Sequence, residues 1–375
     1  MLSNQEYQNI KEQKVQGRYV VMDHIEPILQ HLPKEFLVEE IGFSVENKSI
    51  KSVTVGTGSK RILMWSQMHG NESTTTKAVL DLLQYLQQDT AEVHSLKNNC
   101  TLKIIPILNP DGAFAYTRIN ANSIDLNRDA QNQSQPESVV LKNTYHSFGP
   151  DYCFNLHDQR TIFNVGNTKK PATVSFLAPA HDPERSISAT RAISMQLIVA
   201  MHQELQKRIP GQIGRYDDGF NSNCVGDAFQ MLNTPTILFE SGHYYNDYER
   251  EKTREFIFYS LLKGIGVISK GTISSFDLKE YTKIPENGKQ FFDILVHNAE
   301  LLDPSLEKGV QIGVLYKETL IEGKLEFVPV IEKIGIFDAL YFGHEEFDCS
   351  REKELSAIKA SVWGVKISKD IALLS

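Results

Sequence analysis

Residues 61–72 read Arg61-Ile62-Leu63-Met64-Trp65-Ser66-Gln67-Met68-His69-Gly70-Asn71-Glu72. Residues 61–68 form a short, near-continuous apolar run, which reads as a buried strand. Residues 73–88 follow, with Ala78, Leu82, Tyr85 and Leu86 on one helical face. A buried strand that passes straight into a helix is the unit of a parallel α/β sheet. The alternation continues downstream. Residues 102–108, 152–157, 172–178 and 236–239 read as strands. Residues 139–148, 183–209 and 248–265 read as helices. Pro106 weakens the strand reading of its own segment, because it cannot donate to a ladder.

Outward from this core, residues 36–43 and 50–55 alternate with period two, joined by a turn at Asn47-Lys48. Residues 1–35 read as a polar helical extension, with Val20, Val21, Ile25, Ile28 and Leu29 at roughly helical spacing. The small polar stretch from Ser269 to Ser275 reads as a linker. Beyond it the period is again mostly two, with strands expected at 310–316, 324–331, 339–342 and 358–367. The expected fold class is therefore α/β: a mostly parallel mixed sheet flanked by helices, plus a small β-rich C-terminal domain. The expected domains are 1–35, an extension packed on the next, 36–270, and 276–375.

The chain of 375 residues has 39 Lys plus Arg against 47 Asp plus Glu, a net charge of −8. With no Lys/Arg block, this balance argues against nucleic acid or an anionic membrane as partner. It suits a soluble enzyme with a small substrate. Cys100, Cys153, Cys224 and Cys349 are far apart, so neither a CxxC site nor a disulfide scaffold is expected. No basic segment followed by an apolar one opens the chain, and no apolar run is long enough to span a bilayer, so a cytoplasmic location is expected. The oligomeric state is open.

No nucleophile elbow, phosphate-binding loop, dinucleotide fingerprint or H-E-x-x-H is present. The chain does contain H-x-x-E three times, at His69–Glu72, His181–Glu184 and His297–Glu300. Context separates them. His69 follows a buried strand and precedes a helix, where ligands gather in open α/β sheets. Gly70 between them is expected to let the backbone turn sharply. His181-Asp182-Pro183-Glu184 reads as the opening of a long helix, and His297 lacks a strand-end context. Three further elements carry chemistry. Asn109-Pro110-Asp111-Gly112 reads as a strong turn, after which come Arg118, Asn120, Asn122, Asp125, Asn127 and Arg128. His157 ends an apolar strand. Glu240 closes the buried run from Thr236, where an ionisable group is costly without a partner. All lie at or soon after predicted strand ends. Two His and a Glu can make a catalytic zinc shell with an open fourth position, a free Glu can be a base, and arginines can grip anionic groups.

Taken in order, His-x-x-Glu, Asn-Pro-Asp-Gly, Arg, Asp-x-Asn-Arg, a strand-end His and a strand-end Glu resemble the zinc carboxypeptidases related to the pancreatic enzymes, over about residues 36–265. The resemblance implies one Zn²⁺ per chain held by His69, Glu72 and His157. It implies Glu240 as general base and acid, Arg118 as the group polarising the scissile carbonyl, and Asn127 and Arg128 as the dock for a C-terminal carboxylate. We add Asp125 as an acid orienting a ligand His. The substrate-binding Tyr has no clear match: Tyr216 stands in about the right stretch, with Tyr244, Tyr245 and Tyr248 as alternatives. The gaps from Arg118 to Asn127 and from His69 to His157 are shorter than in the pancreatic enzymes. These compact gaps and the β-rich tail are also similar to the aspartoacylase and succinylglutamate desuccinylase enzymes. The substrate is accordingly a peptide or, alternatively, an N-acyl amino acid. A third reading, an inactive metal-binding scaffold, is opposed by the presence of Glu240. Asp217, Asp218 and Asp227 suggest either a pocket for a basic side chain or, preferably, a solvated acidic loop.

Overall fold

The computed structural model describes residues 2–374. The chain divides into two compact units. The first comprises the chain up to Arg160 together with Ala172–Asn287; the second comprises Thr161–Pro171 together with the chain from Gly288 on.

The first unit opens with α1 (Asn4–Ile10) and α2 (Met22–Gln30), followed by β1 (Leu37–Phe43), β2 (Ser49–Val55) and β3 (Lys60–Trp65). Next come α3 (Thr74–Tyr85), α4 (Ala91–Asn99), β4 (Cys100–Ile105), α5 (Pro110–Ala115), α6 (Pro136–Phe148) and β5 (Tyr152–Asp158). The two-residue strand β6 (Asn164–Val165) lies in the segment assigned to the second unit. The first unit then resumes with β7 (Val174–Leu177), α7 (Ala189–Leu205), β8 (Ile213–Arg215), α8 (Val225–Met231), β9 (Thr236–Ser241) and α9 (Glu251–Lys270). Among the described residues one sheet of eight strands runs β1-β2-β4-β3-β5-β9-β7-β8. β4, β3, β5 and β9 are parallel neighbours, and antiparallel pairs flank them at β2–β4 and β7–β9. The sheet is thus mixed around a parallel centre.

That centre is covered on both faces, which is why its strands read as apolar runs rather than as alternation. Ile62, Met64, Phe154, Leu156, Ile237 and Phe239 pack with α3, α7 and α9. Leu63, Trp65 and Cys153 pack on the other side with Leu141, Tyr145 and Phe229 of α6 and α8. Pro106 stands just past the end of β4, where no ladder donor is required.

Several sequence expectations are corrected. The extension is two short helices, and Val20 and Val21 lie outside both. The long helix begins at Ala189, capped by Ser188, instead of at 183. Ser186 N donates to Asp182 at 2.8 Å and Arg185 adopts a φ of 57°, so this segment is a turned loop that a helix cannot enter. His181–Glu184 is therefore no helix start. His297, by contrast, does close a strand.

The second unit contains β11 (Phe291–His297), β12 (Gln311–Ile321), β13 (Lys324–Gly335) and β14 (Phe342–Asp348), after a two-residue strand β10 (Asn287–Gly288) that begins at its boundary. Its sheet runs β13-β12-β11-β14, with β11 and β14 parallel. Glu322 and Gly323 join β12 to β13 with φ of 50° and 76°, the twist a two-residue hairpin requires. Residues 358–367, expected as a strand, belong instead to α10 (Glu352–Ala360) and α11 (Val362–Leu374). Ile358, Ile367 and Ile371 pack with Ile294, Val296, Ile312 and Val314. A helical period of four brings Ile367 and Ile371 onto the same face, and covering one side of the sheet outweighs the local alternation. No helix among the described residues is long and apolar enough to cross a membrane.

Candidate functional site

The site is built where β3, β5 and β9 end. After Trp65 the chain continues in the sheet direction, with Leu108 N and Asn109 N donating to Ser66 O and Gln67 O at 3.0 Å each. The Asn-Pro-Asp-Gly stretch is the start of a helix, not only a turn. Asn109 is the N-cap of α5, its side chain accepts from Gly112 N at 2.8 Å, and Pro110 occupies the first turn. Asn109 Nδ2 also donates to Met68 O at 3.2 Å, which steadies the residue before His69. Gly70 is required for a different reason than a sharp turn. A Cβ there would stand 1.9 Å from the carbonyl carbon of Gly112, so only glycine lets the two backbones meet.

This scaffold delivers His69 and Glu72 to the side of His157. His69 Nδ1 lies 2.9 Å from Glu72 Oε1, His157 Nδ1 lies 3.0 Å from Glu72 Oε2, and the two Nδ1 atoms are 3.1 Å apart. All three residues are buried, and their ligand atoms fall within 4.8 Å of one another. Ligands about 2.0–2.1 Å from a tetrahedral zinc stand roughly 3.3 Å from each other, close to these separations.

The donor chemistry also points to a cation. Asp125 Oδ1 lies 3.0 Å from His69 Nε2. Burial would raise the Asp125 carboxyl. Hydrogen bonding and charge from His69, together with Arg118 and the backbone N–H of Asn127, instead hold it well below the usual carboxylate range. An ionised Asp125 only accepts, so His69 donates to it from Nε2 and presents Nδ1 to Glu72. The Glu72 carboxyl is likewise held far down, against burial, by His69 and His157. Burial lowers the His157 imidazole, and its Nε2 has no partner among the described residues. Two imidazole nitrogens and a carboxylate this close together need a proton or a metal ion between them. Two His and one Glu fit zinc with one position open.

Around this centre the structure places the other expected residues at different distances. Arg118 is half-exposed. Its Nη1 is 3.3 Å from Glu72 Oε1, and its Nε and Nη2 are each 3.1 Å from Asp125 Oδ2. Glu240 is half-buried and stands in register with His157 on the neighbouring strand. Burial and the carboxylates of Glu72 and Asp158 push its carboxyl well up, with Arg118 and Arg250 opposing. Burial, and then Glu240 and Glu72, push the Tyr216 hydroxyl far up, so this tyrosine feels the charges of the site.

Asn127 Oδ1 accepts from Val225 N at 2.9 Å at the head of α8, and exposed Arg128 donates to Asn127 O at 2.7 Å and to Cys224 Sγ at 3.1 Å. Asn120 and Asn122 hold the loop instead, donating to Gln135 Oε1 at 2.9 Å each. The acidic loop is also revised. Asp218 is paired with Arg191 and, at 3.1 Å, with Arg185, while Asp227 lies inside α8 with its carboxyl pushed up by burial to about 6.

Two residues escaped the sequence reading. Asp158, next to His157, donates its backbone N–H to Glu72 Oε2 at 3.1 Å and takes Thr74 N at 2.8 Å on its side chain. Its position beside a strand-end His was the available signal. Arg250 is fully buried behind β5 and β9, in a polar stretch that carries no such signal.

The chain matches a family described as zinc carboxypeptidase (Peptidase_M14) over residues 21–215, a span that ends before Glu240. It is similar to carboxypeptidase 2 of Trichophyton rubrum, 28% identical over 117 residues, which is 31% of this chain and 20% of that protein. The first curated relatives are matched over about a quarter of their own length. Among solved structures, carboxypeptidase A from Helicoverpa armigera superposes with a TM-score of 0.54 at 18% identity, covering 68% of this chain and 74% of that one. A metallo-carboxypeptidase from Pseudomonas aeruginosa superposes with a TM-score of 0.52 at 18% identity, covering 72% and 69%. At such identities these likenesses speak for the fold.

Proposed function

The chain belongs to the zinc carboxypeptidase family, and from that premise we propose that it is a metallocarboxypeptidase, hydrolysing the last peptide bond of its substrate. The observation that carries this reading is the convergence of His69, Glu72 and His157 with Glu240 in register one strand away. The three ligands would hold one zinc ion per chain. When bound, zinc brings the pKa of a water down toward ~7 and polarises a carbonyl oxygen.

The chain's own groups do the rest. Glu240 takes a proton from the attacking water and later hands it to the leaving amine. Burial and its acidic neighbours raise its proton affinity, which suits both tasks. Arg118, braced by Asp125, directs its guanidinium charge at the oxygen on which negative charge develops, an effect typically worth about 3–4 kcal/mol. Arg128 and Asn127 take the terminal carboxylate, Arg by paired N–H donors and Asn by its amide. Docking the terminus fixes which bond lies over the metal and makes the enzyme an exopeptidase. Tyr216 closes on the bound residue from the β8 side.

Metal analysis of the purified protein, with a peptide-library digest beside it, tests this. We expect about one zinc per chain, chelator-sensitive release of single C-terminal residues, and a loss in kcat of ~10²–10⁴-fold in Glu240→Gln with zinc retained. Full activity in that variant would sink the mechanism. Release of acyl groups from N-acyl amino acids, without trimming of peptides, would replace the peptide by the alternative substrate.

A further inference from the structure

Arg250 lies in no expected motif, yet it touches the backbone of both strands that carry the chemistry. β5 and β9 pair from Cys153↔Thr236 to Asp158↔Ser241, and Gln159 N donates to Ser241 O at 2.7 Å as the ladder runs out. There the guanidinium takes over. Arg250 Nη1 donates to Ser241 O at 2.8 Å, and Nη2 donates to Gln159 O and, at 2.8 Å, to His243 Nε2. Ser241 directly follows Glu240, and Gln159 lies two residues past His157. The network continues inward: Ser241 Oγ donates to Asp158 Oδ1, and Asp158 N donates to Glu72 Oε2 at 3.1 Å.

Arg250 is wholly buried and adopts φ 53°, ψ 37°, a left-handed conformation that non-glycine residues rarely keep unless their surroundings enforce it. A rigid fork of several N–H donors can hold two carbonyls of different strands at once, which a lysine ammonium on a flexible stem cannot do with fixed geometry.

We propose that Arg250 is a positioning residue, cross-linking the C-terminal ends of β5 and β9 so that His157 and Glu240 keep the separation the reaction needs. This rests on the peptidase reading for the role of Glu240, but not for the placement of His157. Arg254, one turn further along α9, is an internal control. It is equally buried, yet bonds Asp81, Glu12 O and Val15 O instead of the strand ends.

The test compares Arg250→Lys, Arg250→Met and Arg254→Lys with the wild type in the full chain. Zinc affinity is measured by competition with a chromophoric chelator, and kcat and KM are measured at saturating zinc. Both Arg250 variants should lose zinc affinity by about 10–100-fold and kcat by at least about tenfold, with KM within about twofold. Arg254→Lys should lose thermal stability only. If Arg250→Met does not fold, Arg250→Lys decides. Zinc affinity and kcat within twofold of wild type in folded Arg250→Lys would overturn the proposal, as would equal losses in Arg254→Lys. A wild type that binds zinc but cuts no peptide would end the peptidase reading and leave zinc affinity to judge Arg250.

Discussion

Two buried ionic clusters of the first unit use the same residue types to opposite ends. In one, Asp81 accepts from Tyr7 Oη, Glu12 N and both Nε and Nη2 of Arg254, so its lone pairs are filled. Arg254 spends its remaining donors on Val15 O, Glu12 O and Glu251. In the other, Glu72 is surrounded as closely, but two of its four neighbours are imidazole Nδ1 atoms that also face each other. The first cluster is closed and ties residues 7–15 to α3 and α9. In the second, two imidazole nitrogens and a carboxylate converge on one another. Charge burial alone does not mark a reactive site; an arrangement that protein donors cannot complete does.

The sharpest way to break this contrast is Asp81→Asn. Leaving Arg254 buried without its counter-charge should cost about 3–5 kcal/mol of stability by denaturant melt, with zinc affinity and kcat of the folded fraction unchanged. A tenfold loss of zinc affinity would mean that the clusters are coupled and the distinction is empty. Next in size is Asp125→Asn. Removing the charge behind His69 should weaken zinc by about 10–100-fold in chelator competition, with little change in melting temperature. Unchanged affinity would reduce Asp125 to a brace for Arg118 and Asn127.

The smallest expected effect is a pH dependence in the closed cluster. Burial would raise Glu251, but Lys77, Lys11 and Arg254 bring it down to about 2 from an ordinary 4.5. A depressed acid contributes stability above its unfolded pKa and loses it as pH falls. Wild type should therefore exceed Glu251→Gln by about 2 kcal/mol at pH 6, with the gap closing between pH 4.5 and 2. A gap that persisted at pH 2 would contradict the assigned pairing.

Much of this was readable in one dimension because the parallel centre of the sheet is buried on both faces. The runs before His69, His157 and Glu240 are mostly apolar, so the ionisable residue that ends each stands out. Where local pattern and tertiary demand diverged, the reading failed. Residues 358–367 alternate like a strand, but Ile358, Ile367 and Ile371 cover a sheet face as helices. The acidic stretch before Glu240 gave no periodic signal for α8, whose head is held by Asn127 nearly a hundred residues upstream. Arg250 sits in Tyr248-Glu249-Arg250-Glu251, which looks like a solvated helix start. Its burial depends on two carbonyls that only the pairing of β5 with β9 brings together.

By itself the sequence determined the residue types of the centre, their order and their attachment to strand ends, because apolar periodicity and its interruptions are local properties. Only the tertiary structure decided that two Nδ1 atoms and a carboxylate converge, that Asp125 backs His69, and that Arg250 rather than Arg254 holds the strand ends. Those are distances between residues remote in the chain, set by sheet register and by the need to satisfy every buried polar group, and no local pattern encodes them.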